Sequence, residues 1–278
     1  MKGMLGADLG GSAIKLIFHR NDGTMQTQTW SKAIRTEHEL TEVIAAFLMQ
    51  ADIAAEDIEG IALTGVGSSF IRTAILGKTP MLIDEIQAIG IGAQKLSQKQ
   101  DILAVSMGTG TAFVRADNHQ ILHLGGTGVG GGTLAGLALR LTKTTEIDAF
   151  AQLALHGKLE NVDLKVGDLT QKEIKTLPSD LTAANFGQLK TLGSPADQAA
   201  GVINMILETI GVMAVLALRL ENTKTIVLTG MLTKLPQAQS VFKRMSQLYA
   251  VDFRIPQYAP YAAALGAILA SEGLDRKN

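Results

Sequence analysis

The chain has 278 residues, 46% of them hydrophobic and 18% charged, which is enough apolar material for a large core and rules out wholesale disorder. Its 25 basic and 26 acidic side chains leave a net charge of −1 with no long run of either sign, so the electrostatic footprint of a nucleic-acid or polybasic membrane binder is missing. The absence of cysteine excludes disulfides, thiolate metal sites, iron–sulfur clusters and cysteine nucleophiles.

In chain order, residues 5–9 and 12–18 read as short strands, His19 to Gly23 as a hairpin turn, and 24–30 as a third strand. Thr36 and Glu39 form a capping-box pattern ahead of Leu40, Val43, Ile44, Phe47 and Leu48, the apolar stripe of a helix. Ile58–Thr64 is a buried strand ending at Gly65, 68–76 reads as helical, 81–83 as a short strand, and a helix runs from about 86 to 98. The order then restarts. A strand at Ile102–Met107 ends in Gly108-Thr109-Gly110-Thr111, and a hairpin follows over 112–116 and 120–124. Helices are expected at 133–142, 147–156 and 196–222, then a strand at Thr225–Thr229, a helix at Ala238–Tyr249, a strand at 251–255 and a closing helix at 261–271. Residues 201–220 are long enough to span a bilayer. Asn204 and Glu208 interrupt them and Arg219 closes them, so a long buried helix is expected there rather than a membrane span.

Strand, glycine turn, hairpin and alternating helices thus occur twice. The expected architecture is a duplicated α/β protein, with units of 1–98 and 99–278 and a cleft between them. The first segment, MKGMLGADLGG, has no signal-like apolar stretch, which makes a cytoplasmic location the expectation.

Glycine is in excess, with 29 residues, nine of them clustered between Gly108 and Gly136. Asp8-Leu9-Gly10-Gly11-Ser12, with Lys15 beyond, suits Mg²⁺ and phosphate. Its glycines turn N–H groups toward oxygens, and Asp8 can orient metal-bound water, although a plain hairpin capped by Asp8 reads equally well. Gly108 to Thr111 repeats that chemistry at the start of the second unit, and two such turns suggest phosphates gripped from both sides. The run 125–133, opening into an apolar helix, has the form of an anion site at a helix N-terminus or of a hinge; it is neither a Walker A loop nor a dinucleotide fingerprint. Leu228-Thr229-Gly230-Met231 is a strand end small enough to admit a flat base. Asp84-Glu85 could supply a general base, but spacing alone favours a helix N-terminal pair, with Asp84 capping and Glu85 meeting the dipole. His119 and His123 lie on expected extended chain with no third ligand nearby, which argues against a metal pair.

Taken together, the paired glycine turns resemble the actin, Hsp70 and sugar-kinase superfamily, whose duplicated ribonuclease-H-like domains enclose a nucleotide cleft. Within it, the sequence resembles the type II pantothenate kinases over essentially its whole length. The residues that carry this are Asp8 to Ser12 with Lys15, Leu63-Thr64-Gly65, Asp84-Glu85, Gly108 to Thr111, the run 125–133, and His156-Gly157 followed by Val162 to Val166. The most specific is Pro178-Ser179-Asp180-Leu181-Thr182-Ala183-Ala184-Asn185-Phe186-Gly187.

The resemblance implies ATP-dependent phosphorylation of the primary hydroxyl of pantothenate, with Mg²⁺ held by Asp8 through water, and a homodimer built partly on the helix at 196–222. It places Glu85 where the family has its general base. It places Asp8, Leu9, Gly10, Gly11, Ser12, Ala13, Ile14, Lys15, Thr109, Gly131, Gly132, Thr133, Leu134 and Ala135 in ATP-contacting segments, with Met231 at the adenosine strand end. Ile147 stands roughly where relatives have an aromatic near the nucleotide. Glu85, Thr109 and His123 fall at the substrate. His123 is a departure, since relatives carry there the arginine that grips the substrate carboxylate; Ser12 replaces the usual threonine, and the tail Ala259 to Ala263 also differs. A kinase of a related small alcohol is the alternative. Sugar kinases of the repressor-related type usually carry a cysteine-rich zinc motif and the dehydratase-activator ATPases need cluster cysteines, so both fit poorly, and an actin-like scaffold needs extra subdomains.

Overall fold

A computed structural model describes residues 1–170, 172, 178–221 and 223–275. Its first unit comprises β1 (Gly3–Leu9), β2 (Ile14–Arg20), β3 (Met25–Trp30), α1 (Glu37–Gln50), β4 (Ile58–Thr64), β5 (Met81–Leu82) and α2 (Glu85–Ser97). The sheet order is β3-β2-β1-β4-β5, with β1, β2 and β3 antiparallel and β4 and β5 parallel to β1. Next come β6 (Ile102–Met107), β7 (Thr111–Ala116), β8 (Ile121–Thr127), α3 (Gly131–Thr142), α4 (Ile147–Ala154), β9 (Leu164–Lys165), α5 (Val166–Leu169) and β10 (Thr182–Ala184). The chain closes with α6 (Pro195–Arg219), β11 (Thr225–Thr229), α7 (Ala238–Tyr249), β12 (Asp252–Arg254) and α8 (Ala262–Asp275). The second large sheet, ordered β8-β7-β6-β11-β12, repeats the first strand for strand. The duplicated α/β fold is therefore present.

Local chemistry explains the elements. The capping box on α1 forms, with Thr36 Oγ1 accepting from Glu39 N at 3.2 Å, and the helix buries Leu40, Ile44, Phe47 and Leu48 against the first sheet. Within α6, Ile203, Ile206, Leu207 and Ile210 enter the core of the second unit. Its internal polar residues are satisfied: Asn204 donates to Glu208 at 3.0 Å, and Glu208 pairs with Arg244 of α7. Buried Asp163 accepts from Phe186 N at 2.9 Å and lies 3.4 Å from the Asn204 amide. The two family-specific segments, 162–166 and 178–187, are thus a strap joined through β9 and β10 and pinned to α6 by one buried carboxylate. The end of the expected helix at 196–222, Asn222, lies outside the described residues.

Two expectations change. Residues 68–76 are not a helix: a 3₁₀ turn covers Val66–Phe70, and the chain then extends to a bridge between Ile75 and Lys78. The β-branched Ile71, Thr73 and Ile75 oppose helix there, and Ile71 and Ile75 are buried instead in the first core. The glycine run 125–133 is not one loop either. Gly125 to Thr127 finish β8, Gly131 to Thr133 begin α3, and only three residues between them are free of both. Leu124 forms a bulge opposite β7, and Gly125 leaves it with φ +146°, a conformation that side-chain-bearing residues rarely adopt.

The units expected at 1–98 and 99–278 exchange helices. In α8, Ala264, Leu265, Ala267 and Ile268 pack with Ile17 and Ala62 of the first sheet, whereas Ile89 and Ala93 of α2 pack with Ala104, Val114 and Val227 of the second. The two helices also pack on each other, glycine against backbone: a Cβ on Gly92 would strike the Ala262 carbonyl, and one on Gly266 the Ala88 carbonyl.

Candidate active site

The carboxyl ends of β1, β4, β6 and β11 converge on a cleft of about 490 Å³ between the two sheets, lined by Asp8, Gly10, Gly11, Lys15, Glu85, Thr109 and His123 among others. On its first wall, Lys15 Nζ sits 2.9 Å from Asp8 Oδ2, with both side chains nearly buried. They face each other because Asp8 on β1 is registered against Lys15 on β2. A side chain at Gly10 would lie 2.9 Å from the Ala13 carbonyl and 3.0 Å from the lysine ammonium. On the opposite wall the 108–111 turn repeats the glycine turn without the ion pair, and the walls meet where Ser12 Oγ and Thr109 Oγ1 share a hydrogen bond of 2.8 Å.

The two carboxylates at the start of α2 separate by role. Asp84 is the N-cap, accepting from Gln87 N at 3.0 Å, whereas Glu85 points into the cleft. Burial pushes the Glu85 carboxyl above the usual range, the charges of Asp8 and Asp84 add to this, and Lys15 partly offsets it. A carboxylate so placed is a stronger base than a solvated one.

The structure does not gather every expected residue at this cleft. Leu9 and Ile14 are fully buried in the first core and Leu134 in the second, and Ala13 is nearly so, leaving only their backbone for a ligand. Ser12 stands on the rim through its bond to Thr109, while Ile147 packs on the second core and Met231 opens a 3₁₀ turn after β11; none of the three lines the cleft. The expectation of free N–H groups at the start of α3 fails for two of them. Gly131 N donates to the Gly108 carbonyl and Gly132 N to the Thr109 carbonyl, each at 2.8 Å. The head of α3 therefore buttresses the 108–111 turn, and Gly132 and Ala135 present exposed surface beside it. His123 is exposed on β8 and lines the cleft.

Ser106 was not singled out from sequence, and Thr229 only as part of a strand end; both line the cleft. The repeat could have indicated them. Ser106 on β6 is registered against Ala112 and Thr229, just as Asp8 on β1 is registered against Lys15 and Thr64. Gly65 and Gly230 follow the two threonines at φ +84° and +85°, each leading into a 3₁₀ turn. One wall is thus charged, and its counterpart is neutral and small.

These features define a two-domain α/β protein with an actin-like fold. The activator of 2-hydroxyisocaproyl-CoA dehydratase from Clostridium difficile, solved with bound ADPNP, matches with TM-score 0.69 and 15% identity over 99% of this chain and 97% of that one. A ROK family glucokinase from Streptomyces griseus, in complex with glucose and AMPPNP, matches with TM-score 0.59 and 11% identity over 96% and 98%. The Fumble family model matches residues 93–270. A type II pantothenate kinase of Staphylococcus haemolyticus is 29% identical over 274 residues, covering 95% of this chain and 98% of its own, and that of Oceanobacillus iheyensis is 30% identical over 270 residues, covering 96% and 99%. The chain belongs to the Fumble family and, within it, to the type II pantothenate kinases.

Proposed function

We propose that the protein transfers the γ-phosphoryl group of ATP to the primary hydroxyl of pantothenate, the entry step of coenzyme A biosynthesis, with Glu85 as general base. The observation that carries this is the convergence of Glu85, Asp8 and Lys15 on one cleft between two glycine turns, in a chain of this family. Glu85 accepts the hydroxyl proton as the oxygen bonds to phosphorus and ADP leaves. Lys15 and the N–H groups of the two turns hold the phosphates in line. The cleft suits a nucleotide with its Mg²⁺, because its glycines leave room that a Cβ would fill and Asp8 offers a carboxylate. The metal, when bound, neutralises phosphate charge, and Asp8 would hold it through water. Gly132 and Ala135 border the nucleotide with their exposed faces, Met231 follows the cleft-lining Gly230 at its adenosine end, Ile147 stays on the second core, and the location is cytoplasmic.

The acceptor site is tested at His123. Its charge depends on pH, with an ordinary pKa of about 6.5, where an arginine's does not. If it holds the pantothenate carboxylate, KM for pantothenate rises from pH 6 to 9, a range of roughly 3 units around that value, while KM for pantetheine, which has no carboxylate, stays flat. His123→Arg removes the slope and lowers KM. Phosphorylation of pantetheine or a sugar in preference to pantothenate would replace this reading with that of a related alcohol kinase. A pantothenate KM that is flat with pH and indifferent to His123→Ala would leave the histidine without the role.

A homodimer built partly on α6 belongs to the same proposal. Since nine apolar residues of α6 are spent in the core, the face left over carries Val212 and Leu216, with Leu220 just beyond the helix, exposed by 36%, 54% and 86%. Light scattering at micromolar concentration should give twice the chain mass, and Leu216→Glu should halve it. A monomeric wild type would remove the proposal.

A further inference from the structure

Thr64 ends β4 in full burial, and among the described residues its Oγ1 is a buried hydroxyl with no hydrogen-bond partner. Such a group costs stability unless another state of the molecule uses it. Its surroundings identify the use. On one side Thr64 is registered against Asp8 of β1; successive side chains alternate between the faces of a strand, and both residues point to the face that carries α8 and the cleft. On the other side, Ile83 N donates to the Leu63 carbonyl at 2.8 Å, which draws the start of α2, and with it Glu85, against the end of β4. Thr64 therefore lies beside Asp8, at the strand end against which the start of α2 is drawn. The equivalent position in the second unit makes the contrast. Thr229, registered against Ser106, has an acceptor for its hydroxyl, the Val105 carbonyl at 3.5 Å.

Asp8 has one oxygen engaged by Lys15, Oδ2, while Oδ1 faces Gly65, where a Cβ would stand 2.7 Å away. An ammonium drawn to the phosphates would leave the nearly buried Asp8 with one oxygen on the metal's water and the other without the donor that engages it among the described residues. We propose that Thr64 is a positioning residue that replaces Lys15 as the donor to Asp8 when the lysine turns to the phosphates of a bound nucleotide. The hydroxyl donates to Asp8 once the ammonium has turned to the phosphates. This rests on the nucleotide half of the proposed function and needs nothing of the acceptor.

The test is Thr64→Val, which keeps shape and β-branching and removes the hydroxyl, beside Thr64→Ser, which keeps the hydroxyl. Calorimetry with AMPPNP and Mg²⁺, without acceptor, should show binding weakened about tenfold in the valine variant, the order of one hydrogen bond to a charged group, and near wild type in the serine variant. The valine variant without ligand should melt at or above the wild-type temperature, because it loses an unsatisfied buried hydroxyl, and its kcat should fall with little change in KM for the acceptor. A merely structural threonine would lower the unliganded melting temperature instead. Wild-type AMPPNP affinity in Thr64→Val, equal losses in both variants, or a lower unliganded melting temperature for Thr64→Val would each overturn the inference. A wild type that binds AMPPNP but does not phosphorylate pantothenate would sink the acceptor assignment and leave the binding comparison to decide Thr64.

Discussion

Glu85→Gln is expected to bind ATP as the wild type does and to lose turnover by roughly 10²-fold or more, the scale set by removing a general base. The glutamine occupies the same space at the first turn of α2, so the cleft keeps its shape and only the proton acceptor is gone. Asp84→Asn should cost little in turnover or stability, because asparagine caps a helix as well as aspartate and the Asp84 side chain is occupied with Gln87 N. Equal losses from the two changes would mean that the wrong carboxylate had been chosen. The pH profile adds a check. With its pKa raised by burial and by Asp8, Glu85 should give the acid limb of kcat/KM a midpoint above the ordinary glutamate value. The sign for stability follows from the same shift. A carboxyl whose folded pKa exceeds its unfolded one favours the folded state below the unfolded pKa and loses that contribution as pH rises through the folded one. Glu85→Gln should therefore melt no lower than wild type at pH 7, even as it loses activity. A variant both inactive and markedly unstable would point to a structural residue.

Periodicity and turn chemistry exposed much of this fold, and their failures have physical causes. The repeated strand–turn–hairpin order was visible because each unit begins with a short buried strand that ends in glycine. The choice between Asp84 and Glu85 was not visible in spacing, since adjacent residues at a helix start point in different directions and only the packing of α2 on the second sheet decides which one faces the cleft. The run 125–133 misled for a related reason. Glycine suits an anion loop, a strand bulge and a close-packed helix start equally, and its N–H groups at Gly131 and Gly132 went to the carbonyls of Gly108 and Thr109. The assignment of α8 to the second unit followed chain order, whereas its apolar residues pack on the first sheet.

The helix crossing also carries the largest expected effect on stability. Gly266→Ala should lower the melting temperature although alanine is the better helix former by about 1 kcal/mol. The added Cβ would fall on the Ala88 carbonyl of α2, which cannot yield as a flexible side chain would, so the helices must part. Overpacking of this kind costs about 1–3 kcal/mol or more, and Gly266→Val should lie at the upper end, a drop of roughly 6–12 °C at 2–4 °C per kcal/mol. Gly273→Ala is the control on the same helix. No atom lies within 4 Å of its new Cβ, so helix propensity acts alone and the melting temperature should hold or rise. The two alanine variants should therefore move in opposite directions, and equal shifts would mean that the close approach of α2 and α8 is not what holds the units together. Activity should follow. Glu85 is the first residue of α2, and the same helix rests on Gly266 through Ala88, so parting the helices tilts the base away from the glycine turns. Gly266→Ala should lose kcat at temperatures where it is still fully folded, and Gly273→Ala should not. The glycines that place the base are then as much a part of the site as the glycines that line it, although they touch neither substrate.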